Sequence, residues 1–225
     1  MLAETGKPLF LHTWERAVAA GCFDGGIYIA TDSDEIDAAA RSAGAQVART
    51  SAAAKTGSDR CAEALAKLPA SVGYAVDIQG DWPEVEPADL QRLVDTLREG
   101  PSPTATLAVP MTDAALAADP NIVKVVRDRA RRAMLFSRAT IPHPREGAAA
   151  QAAPFLRHIG VYAFVREALL SIPDLPSSGL AEAESLEQLR FLENGIAMQV
   201  LDATGEPWGI ESRPDYDAFL KRRTS

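Results

Sequence analysis

Apolar residues in the first half of the chain follow two alternating spacings. Apolar positions three and four apart predict helices over residues 8–21, 34–42, 59–68 and 87–98. Short apolar runs between them predict strands over residues 27–30, 46–49, 74–78 and 104–109. Alternating helices and strands are typical of a doubly wound α/β fold, a mostly parallel sheet with helices on both faces.

The second half alternates less regularly. Strands are predicted over residues 122–126, 133–136, 157–164 and 197–201, and helices over residues 166–171, 182–194 and 214–222. A stretch rich in Ala, Gly and Pro over residues 143–154 predicts a mobile loop. Because no long linker interrupts the pattern, residues 1–225 are expected to form a single domain.

The strongest local signal for chemistry is the tripeptide Gln79-Gly80-Asp81. It follows the apolar run at residues 74–78, so an acid stands just past the carboxyl end of a predicted strand. Ligands of open α/β sheets bind at that edge. A carboxylate beside a glycine suits Mg²⁺ and the phosphate oxygens that Mg²⁺ binds. The sequence therefore predicts a metal and phosphate site here, although it contains no Gly-rich phosphate loop.

Charge and hydropathy narrow the classes of partner. The formal net charge is −8, which argues against a general nucleic-acid-binding protein because such proteins carry a basic patch. No apolar stretch reaches the roughly 20 residues that a membrane span needs, and no signal peptide is visible. We therefore expect a cytoplasmic protein that binds neither nucleic acid nor membrane.

Short motifs in a fixed order give the chain a family resemblance. They are GKP at 6–8, ATD at 30–32, TGSDR at 56–60, QGD at 79–81, ATLAVP at 105–110, VKVV at 123–126, FSRATIP at 136–142, RHIGVY at 157–162 and LEQLR at 186–190. Each is weak alone, but in this order and spacing they resemble the 3-deoxy-manno-octulosonate cytidylyltransferases, also called CMP-Kdo synthetases. The resemblance covers nearly the whole chain.

The resemblance implies an activity and a fold. Such enzymes transfer CMP from CTP to the eight-carbon sugar acid 3-deoxy-D-manno-octulosonate (Kdo) and release pyrophosphate, with Mg²⁺ holding the phosphates. The product feeds lipopolysaccharide synthesis. The implied fold is the nucleotide-diphospho-sugar transferase type, with a small antiparallel subdomain at about residues 133–164 that forms a homodimer.

The resemblance also implies roles for individual residues. The metal-binding and catalytic carboxylates are Asp81 and Glu211. The residues for the sugar acid are Gln79, Arg138, His158, Tyr162, Glu187 and Gln188. The residues for the nucleotide are Gly57, Ser58, Arg60 and Gly80. His158 and Tyr162 are four apart on a predicted strand, so their side chains share one face.

The chain departs from the family pattern in four places. It begins just after the point at which the family has a first strand and an Arg-, Ser- and Lys-containing loop around the triphosphate. That strand would be central, so the strand at residues 27–30 is expected to keep unpaired backbone groups. Trp82 stands where the family usually has Glu, and Glu211 where it has Asp. Ala181 replaces an acid.

The sequence allows two explanations of these departures. One is a start codon placed too late, and the other is a degenerate homologue that keeps the sugar side of the site. The corresponding alternatives to Kdo cytidylyl transfer are a non-catalytic protein that binds a sugar acid or partners a full-length enzyme, and a cytidylyltransferase for a related sugar acid such as an acylneuraminate. Phe136-Ser137-Arg138 with Pro142 favours the Kdo type over the last alternative.

Overall fold

A computed structural model of the protein describes residues 2–144 and 155–224. The strands are β1 (Tyr28–Thr31), β2 (Gln46–Arg49), β3 (Tyr74–Ile78), β4 (Thr104–Met111), β5 (Lys124–Arg127), β6 (Ala133–Ser137), β7 (Phe155–Val165) and β8 (Met198–Asp202). The helices are α1 (Leu9–Ala20), α2 (Asp34–Ser42), α3 (Gly57–Ala66), α4 (Pro87–Glu99), α5 (Ala114–Ala118), α6 (Arg166–Ser171), α7 (Gly179–Glu184), α8 (Gln188–Glu193) and α9 (Arg213–Thr224), and one 3₁₀ turn spans Ile172–Asp174.

The larger sheet is mixed rather than purely parallel. Its strand order is β6-β5-β7-β4-β8, with β3 pairing on β7 beside β5. The long strand β7 is antiparallel to β3, β4 and β5, whereas β4 and β8 are parallel. The predicted α/β class is confirmed. The antiparallel pairings are those of β7 with β3, β4 and β5 and that of β5 with β6.

Two apolar layers cover the faces of this sheet. On one face, α1 and α4 pack their apolar sides, including Leu90 and Leu93, on alternate residues of β4 and β7 such as Leu107 and Ile159. On the other face, buried residues of α3, α6 and α8 join the rings of β7. The sheet thus lies between two groups of helices. This three-layer arrangement is that of a doubly wound fold, as the alternating pattern predicted.

The strands β1 and β2 form a separate two-stranded parallel sheet. Within the described residues β1 pairs only with β2, and β3 pairs only with β7. The free edges of β1 and β3 line a groove of about 940 Å³. The expectation of unpaired backbone groups at residues 27–30 therefore agrees with the structure.

The single helix predicted over residues 182–194 is wrong. Helix α7 ends before Ser185, which has a left-handed φ of 51°, and α8 begins at Gln188. Glu187 consequently stands at the N-terminal boundary of α8 rather than on a continuous helix face. The predicted loop at 143–154 lies mostly outside the described residues. Among the described helices, none is both long and apolar enough to cross a membrane.

Candidate functional site

A cavity of about 1710 Å³ opens at the carboxyl end of β3. It brings together most of the predicted site residues: Gly57, Gln79, Asp81, Arg138, His158, Tyr162, Glu187, Gln188 and Glu211. These residues come from the turn after β3, the segment after β6, strand β7, the N-termini of α3 and α8, and the segment before α9. Distant parts of the chain thus converge at the sheet edge that the sequence predicted.

Asp81 and Glu211 form a pair of acids at one side of this cavity. The turn after β3 closes with a hydrogen bond of 3.1 Å from the Trp82 amide to the Gln79 carbonyl, which carries Asp81 over the strand end. Burial raises the pKa of Asp81, and the negative charge of Glu211 raises it further. The charge of Glu211 therefore opposes ionisation of Asp81, and a bound cation would relieve that effect.

The acid pair fits a divalent cation. Oδ1 of Asp81 is buried and has no hydrogen-bond partner among the described residues, so a buried acceptor is unsatisfied. No cluster of three or more metal-binding side chains occurs in the described residues. Two carboxylates with open positions suit Mg²⁺, which commonly keeps waters and takes its other ligands from substrate phosphates.

A second group of polar side chains lines the cavity on β7 and α8. The hydroxyl of Tyr162 donates to Oε1 of Gln188 at 3.2 Å, and the rings of His158 and Tyr162 lie 5.4 Å apart. His158 and Tyr162 therefore share a face, as their spacing predicted. Burial, and then the charge of Arg157, lower the pKa of His158 to about 3, so its imidazole is neutral at pH 7.

Glu187 joins the α8 boundary to α3. Its Oε2 accepts a hydrogen bond of 3.1 Å from the backbone N–H of Ser58. Glu187 also lines the cavity, where its carboxylate can accept hydrogen bonds from a polyhydroxylated ligand.

Asp77 is a buried acid that the sequence analysis did not single out. Nε2 of Gln79 lies 3.3 and 3.2 Å from its two carboxylate oxygens. Burial, and then the negative charge of Glu187, raise the pKa of Asp77 to about 7. An acid within the otherwise apolar strand Tyr74–Ile78 was the available signal. By accepting from Nε2 of Gln79, Asp77 orients the side-chain amide of Gln79 in the cavity.

Two arginines of the cavity differ in how their guanidinium groups are used. Arg138 donates from Nε to the carbonyl of Glu184 at 2.8 Å and from Nη1 to the carbonyl of Pro120 at 3.0 Å. Arg157, which the sequence analysis assigned no role, is only 5% exposed and lies over the Trp208 ring at 4.0 Å from its centroid. A charged residue in the buried strand β7 was the signal for it.

The predicted nucleotide residues divide between two places. Gly57 lines the main cavity, whereas Arg60 and Gly80 line the groove between β1 and β3. Arg60 donates to Thr50 at 2.6 Å and pairs with Asp32 at 2.9 Å. The hydroxyl of Ser58 is fully buried and has no hydrogen-bond partner within the described chain. The structure thus does not bring Ser58, Arg60 or Gly80 to the wall of the main cavity.

Trp82 occupies a space between two glycines. A Cβ atom placed on Gly160 would lie 2.9 Å from Nε1 of the indole, and one placed on Gly209 would lie 3.2 Å from Cζ2. The indole also lines the cavity beside Asp81 and Glu211. The aromatic side chain at this position is therefore accommodated by the glycines and lies against the acid pair.

Comparison with known proteins gives a consistent assignment. The cytidylyltransferase family model matches residues 3–200. The 3-deoxy-manno-octulosonate cytidylyltransferase of Chlorobium limicola is 40% identical over 221 residues, which cover 96% of this chain and 87% of that protein. The enzymes of the same name from Zea mays and Escherichia coli are 38% and 35% identical; each match covers 94% of this chain, and they cover 71% and 84% of those proteins, respectively.

Solved structures agree with the sequence comparison. A structure described as CMP:2-keto-3-deoxy-manno-octonic acid synthetase complexed with CTP superposes with a TM-score of 0.88 at 32% identity, covering 97% of this chain and 89% of that one. A 4-diphosphocytidyl-2C-methyl-D-erythritol synthase from Anaerococcus prevotii, 14% identical with a TM-score of 0.61, shares the fold. The chain therefore belongs to the cytidylyltransferase family, and within it to the 3-deoxy-manno-octulosonate cytidylyltransferases that its motifs predicted.

Proposed function

We propose that the protein transfers CMP from CTP to Kdo and releases pyrophosphate. The observation that carries this proposal is the convergence in one cavity of an acid pair suited to a divalent cation and a separate set of amide, hydroxyl and imidazole groups. The relatives that share 35–40% of its sequence are named for that reaction. A related solved structure is named as a complex with CTP.

In the proposed reaction the anomeric hydroxyl of the sugar acid attacks the α-phosphorus of CTP. A new P–O bond forms, the hydroxyl proton is released to water, the bond to the bridging oxygen of the β-phosphate breaks, and pyrophosphate leaves. Gln79, Tyr162, Glu187 and Gln188 bind sugar hydroxyls through amide, phenol and carboxylate groups, while neutral His158 offers one more hydrogen bond. Holding the hydroxyl in line with the phosphate is a large part of the catalysis.

Asp81 and Glu211 would hold Mg²⁺. The ion, when bound, would neutralise developing negative charge on the phosphates. Asp81 contributes a buried carboxylate oxygen without another partner, and Glu211 contributes an exposed carboxylate on a longer side chain. The repulsion between the two acids keeps the pair ready for a cation and unfavourable for a second anion.

For the nucleotide we propose Gly57 at the cavity wall and Ser58, Arg60 and Gly80 near it. Gly57 begins α3 and comes so close to Gln79 that an added Cβ would lie 2.2 Å from its Nε2. Only a residue without a side chain leaves that amide in place. Arg138, which we propose for the sugar acid, lines the same cavity and adds positive charge there.

We propose a homodimer through the segment at residues 133–164. Strand β6 is an edge strand, and its Met134 and Leu135 side chains are 65% and 36% exposed. Exposed apolar side chains on an edge strand favour association. The double substitution Met134→Glu with Leu135→Glu should convert a dimer to a monomer in analytical ultracentrifugation. Leu180→Glu, at another exposed apolar side chain, is the matched control and should leave the dimer intact.

We place the reaction in the cytoplasm, where CTP is available, and its product in lipopolysaccharide synthesis.

The direct test is pyrophosphate release with CTP, Kdo and Mg²⁺. We expect release that requires all three components and that falls sharply in Asp81→Asn. Calorimetry with Kdo alone separates the remaining alternatives. Kdo binding without pyrophosphate release would favour the non-catalytic protein, and release with an acylneuraminate but not with Kdo would favour the related-sugar enzyme.

A further inference from the structure

Glu184 holds Arg138 at both its backbone and its side chain. Glu184 is the last residue of α7, and its Oε2 accepts a hydrogen bond of 2.6 Å from the backbone N–H of Arg138. The carbonyl oxygen of Glu184 accepts a second bond, of 2.8 Å, from Nε of the Arg138 guanidinium. One residue therefore fixes where the Arg138 backbone lies and in which direction its side chain extends.

The bond to the guanidinium follows from where α7 ends. Ser185 has a left-handed φ of 51°, so the helix ends at Glu184. The last carbonyl groups of a helix have no partner inside it, and they carry partial negative charge that favours a cation. The guanidinium of Arg138 supplies both the missing donor and the positive charge.

The carboxylate of Glu184 also organises the turn after β6. Its Oε1 accepts a hydrogen bond of 2.7 Å from the hydroxyl of buried Ser137. The same hydroxyl oxygen accepts from the backbone N–H of Ala139 at 3.0 Å, so its hydrogen is directed to Glu184. Each carboxylate oxygen thus meets a donor. A Gln amide at this position would present its NH₂ group to one of the two donors.

Other contacts of Arg138 leave the outer end of its guanidinium available. Nζ of fully buried Lys124 donates to the Arg138 carbonyl at 2.5 Å, and Nη1 of Arg138 donates to the carbonyl of Pro120 at 3.0 Å. Within the described residues, no acceptor of the protein contacts Nη2. Arg138 lines the cavity, whereas Glu184 is not among the described residues that line it. Glu184 can therefore influence a ligand only through the residues that it holds.

We infer that Glu184 is a positioning residue, which acts through Arg138 on binding of the sugar acid. The inference rests on the proposed function, in which Arg138 serves the sugar acid and other residues serve CTP. Loss of the Glu184 carboxylate should therefore weaken the sugar acid and leave the nucleotide unaffected.

The test compares the Michaelis constants for Kdo and for CTP in pyrophosphate release. Glu184→Gln should raise the constant for Kdo about 10-fold, with kcat and the constant for CTP within about 2-fold of the wild type, because it weakens an interaction made equally in the ground state and the transition state. Glu167→Gln is the matched control. It removes an exposed acid on α6 that lines neither the cavity nor the groove, and all three constants should stay within about 2-fold of the wild type.

A double substitution separates positioning from general support of the fold. Arg138→Gln alone should raise the Michaelis constant for Kdo about 30-fold or more. If Glu184 acts through Arg138, adding Glu184→Gln to that variant should raise the constant by less than about 2-fold. A further 10-fold rise in that background, or equal losses for Kdo and CTP, would overturn the inference and leave the proposed function standing.

Ser137→Ala guards against a Glu184 variant that fails to fold. It removes one donor from the Glu184 carboxylate and keeps the Arg138 bonds, so the Michaelis constant for Kdo should rise about 3-fold and that for CTP should not change. No change for Kdo in either folded variant would count against the inference alone. Calorimetry with Kdo gives the same comparison without turnover. A folded wild-type protein that neither releases pyrophosphate nor binds Kdo would overturn the proposed function and the inference together.

Discussion

The backbone N–H of Ile210 donates a hydrogen bond of 2.9 Å to the carbonyl oxygen of Asp81. This bond ties the turn after β3 to the segment before α9, which carries Glu211. The two carboxylates come from distant parts of the chain, so their pairing depends on the folded structure. The arrangement explains why burial and the charge of Glu211 together raise the pKa of Asp81.

Removing either carboxylate should impair the proposed reaction to different extents. Asp81→Asn is expected to lower the rate of pyrophosphate release about 100-fold or more, and Glu211→Gln about 10-fold or more, because the exposed Glu211 is the more replaceable ligand. Glu211→Asp should change the Mg²⁺ concentration for half-maximal rate rather than abolish activity.

The control is Glu35→Gln, which removes an exposed acid that lines neither the cavity nor the groove. Mn²⁺ binding followed by electron paramagnetic resonance gives a readout that is independent of turnover. If Asp81→Asn bound Mn²⁺ as tightly as the wild-type protein, Asp81 would not be a metal ligand.

The sequence predicted the sheet edge at which the candidate cavity opens, because the signals for that edge are local. Gln79, Gly80 and Asp81 directly follow an apolar run, and the end of a strand in an α/β fold is a binding edge. The role of Glu211 came from the family resemblance, since an acid in a polar segment carries no such signal by itself.

What the sequence did not predict depends on tertiary contacts. The apolar positions of residues 182–194 fit one helix, yet Ser185 adopts a left-handed conformation without a glycine and divides the segment. The pairing of β7 with β3, β4 and β5 is set by which edges meet, and a strand pattern does not encode that. Arg157 was given no role because its burial against Trp208 depends on tertiary packing.

The space between Trp82 and Gly160 is too small for an added methyl group. Gly160→Ala should lower the free energy of unfolding by about 1–3 kcal/mol, because the new Cβ would lie 2.9 Å from the indole Nε1. Chemical denaturation measures the change. Gly179→Ala is the matched control, since a Cβ there meets nothing within 4 Å, and it should stay within about 0.5 kcal/mol of the wild type.

A double substitution tests whether the indole is the cause. Trp82→Phe removes the part of the ring that carries Nε1, so Gly160→Ala should cost less than about 1 kcal/mol in that background. An equal cost in both backgrounds would show that the alanine clashes with something other than Trp82.

Asp77 should make stability fall as pH rises toward neutrality. Burial, and then the charge of Glu187, raise its pKa from 3.8 to about 7 in the folded protein. Between these values the folded state holds a proton that the unfolded state has released, so the free energy of unfolding decreases with increasing pH. Asn does not titrate. The free energy of unfolding of Asp77→Asn, relative to that of the wild type, should therefore increase by about 1–3 kcal/mol between pH 5 and pH 8.

The measurement is chemical denaturation of both proteins across that range. Glu99→Gln, an exposed change at the C-terminal end of α4, is the control and should show no such pH-dependent gain. If the free energies of unfolding of Asp77→Asn and the wild type differed by a constant amount from pH 5 to pH 8, Asp77 would be ionised throughout that range.

The separate sheet of β1 and β2 should open more easily than the larger sheet. Strand β1 pairs only with β2 in the described chain and borders a groove of about 940 Å³ on its other side. Amides in such a unit exchange by local opening, whereas those of β4 are held between β7 and β8. Native-state hydrogen exchange should therefore give β1 amides opening free energies at least about 2 kcal/mol below those of β4.

Strand β8, which is also a short edge strand with a parallel partner, is the matched control and should be protected nearly as well as β4, because it belongs to the larger sheet. Equal protection of β1 and β4 would show instead that the two sheets unfold as one cooperative unit.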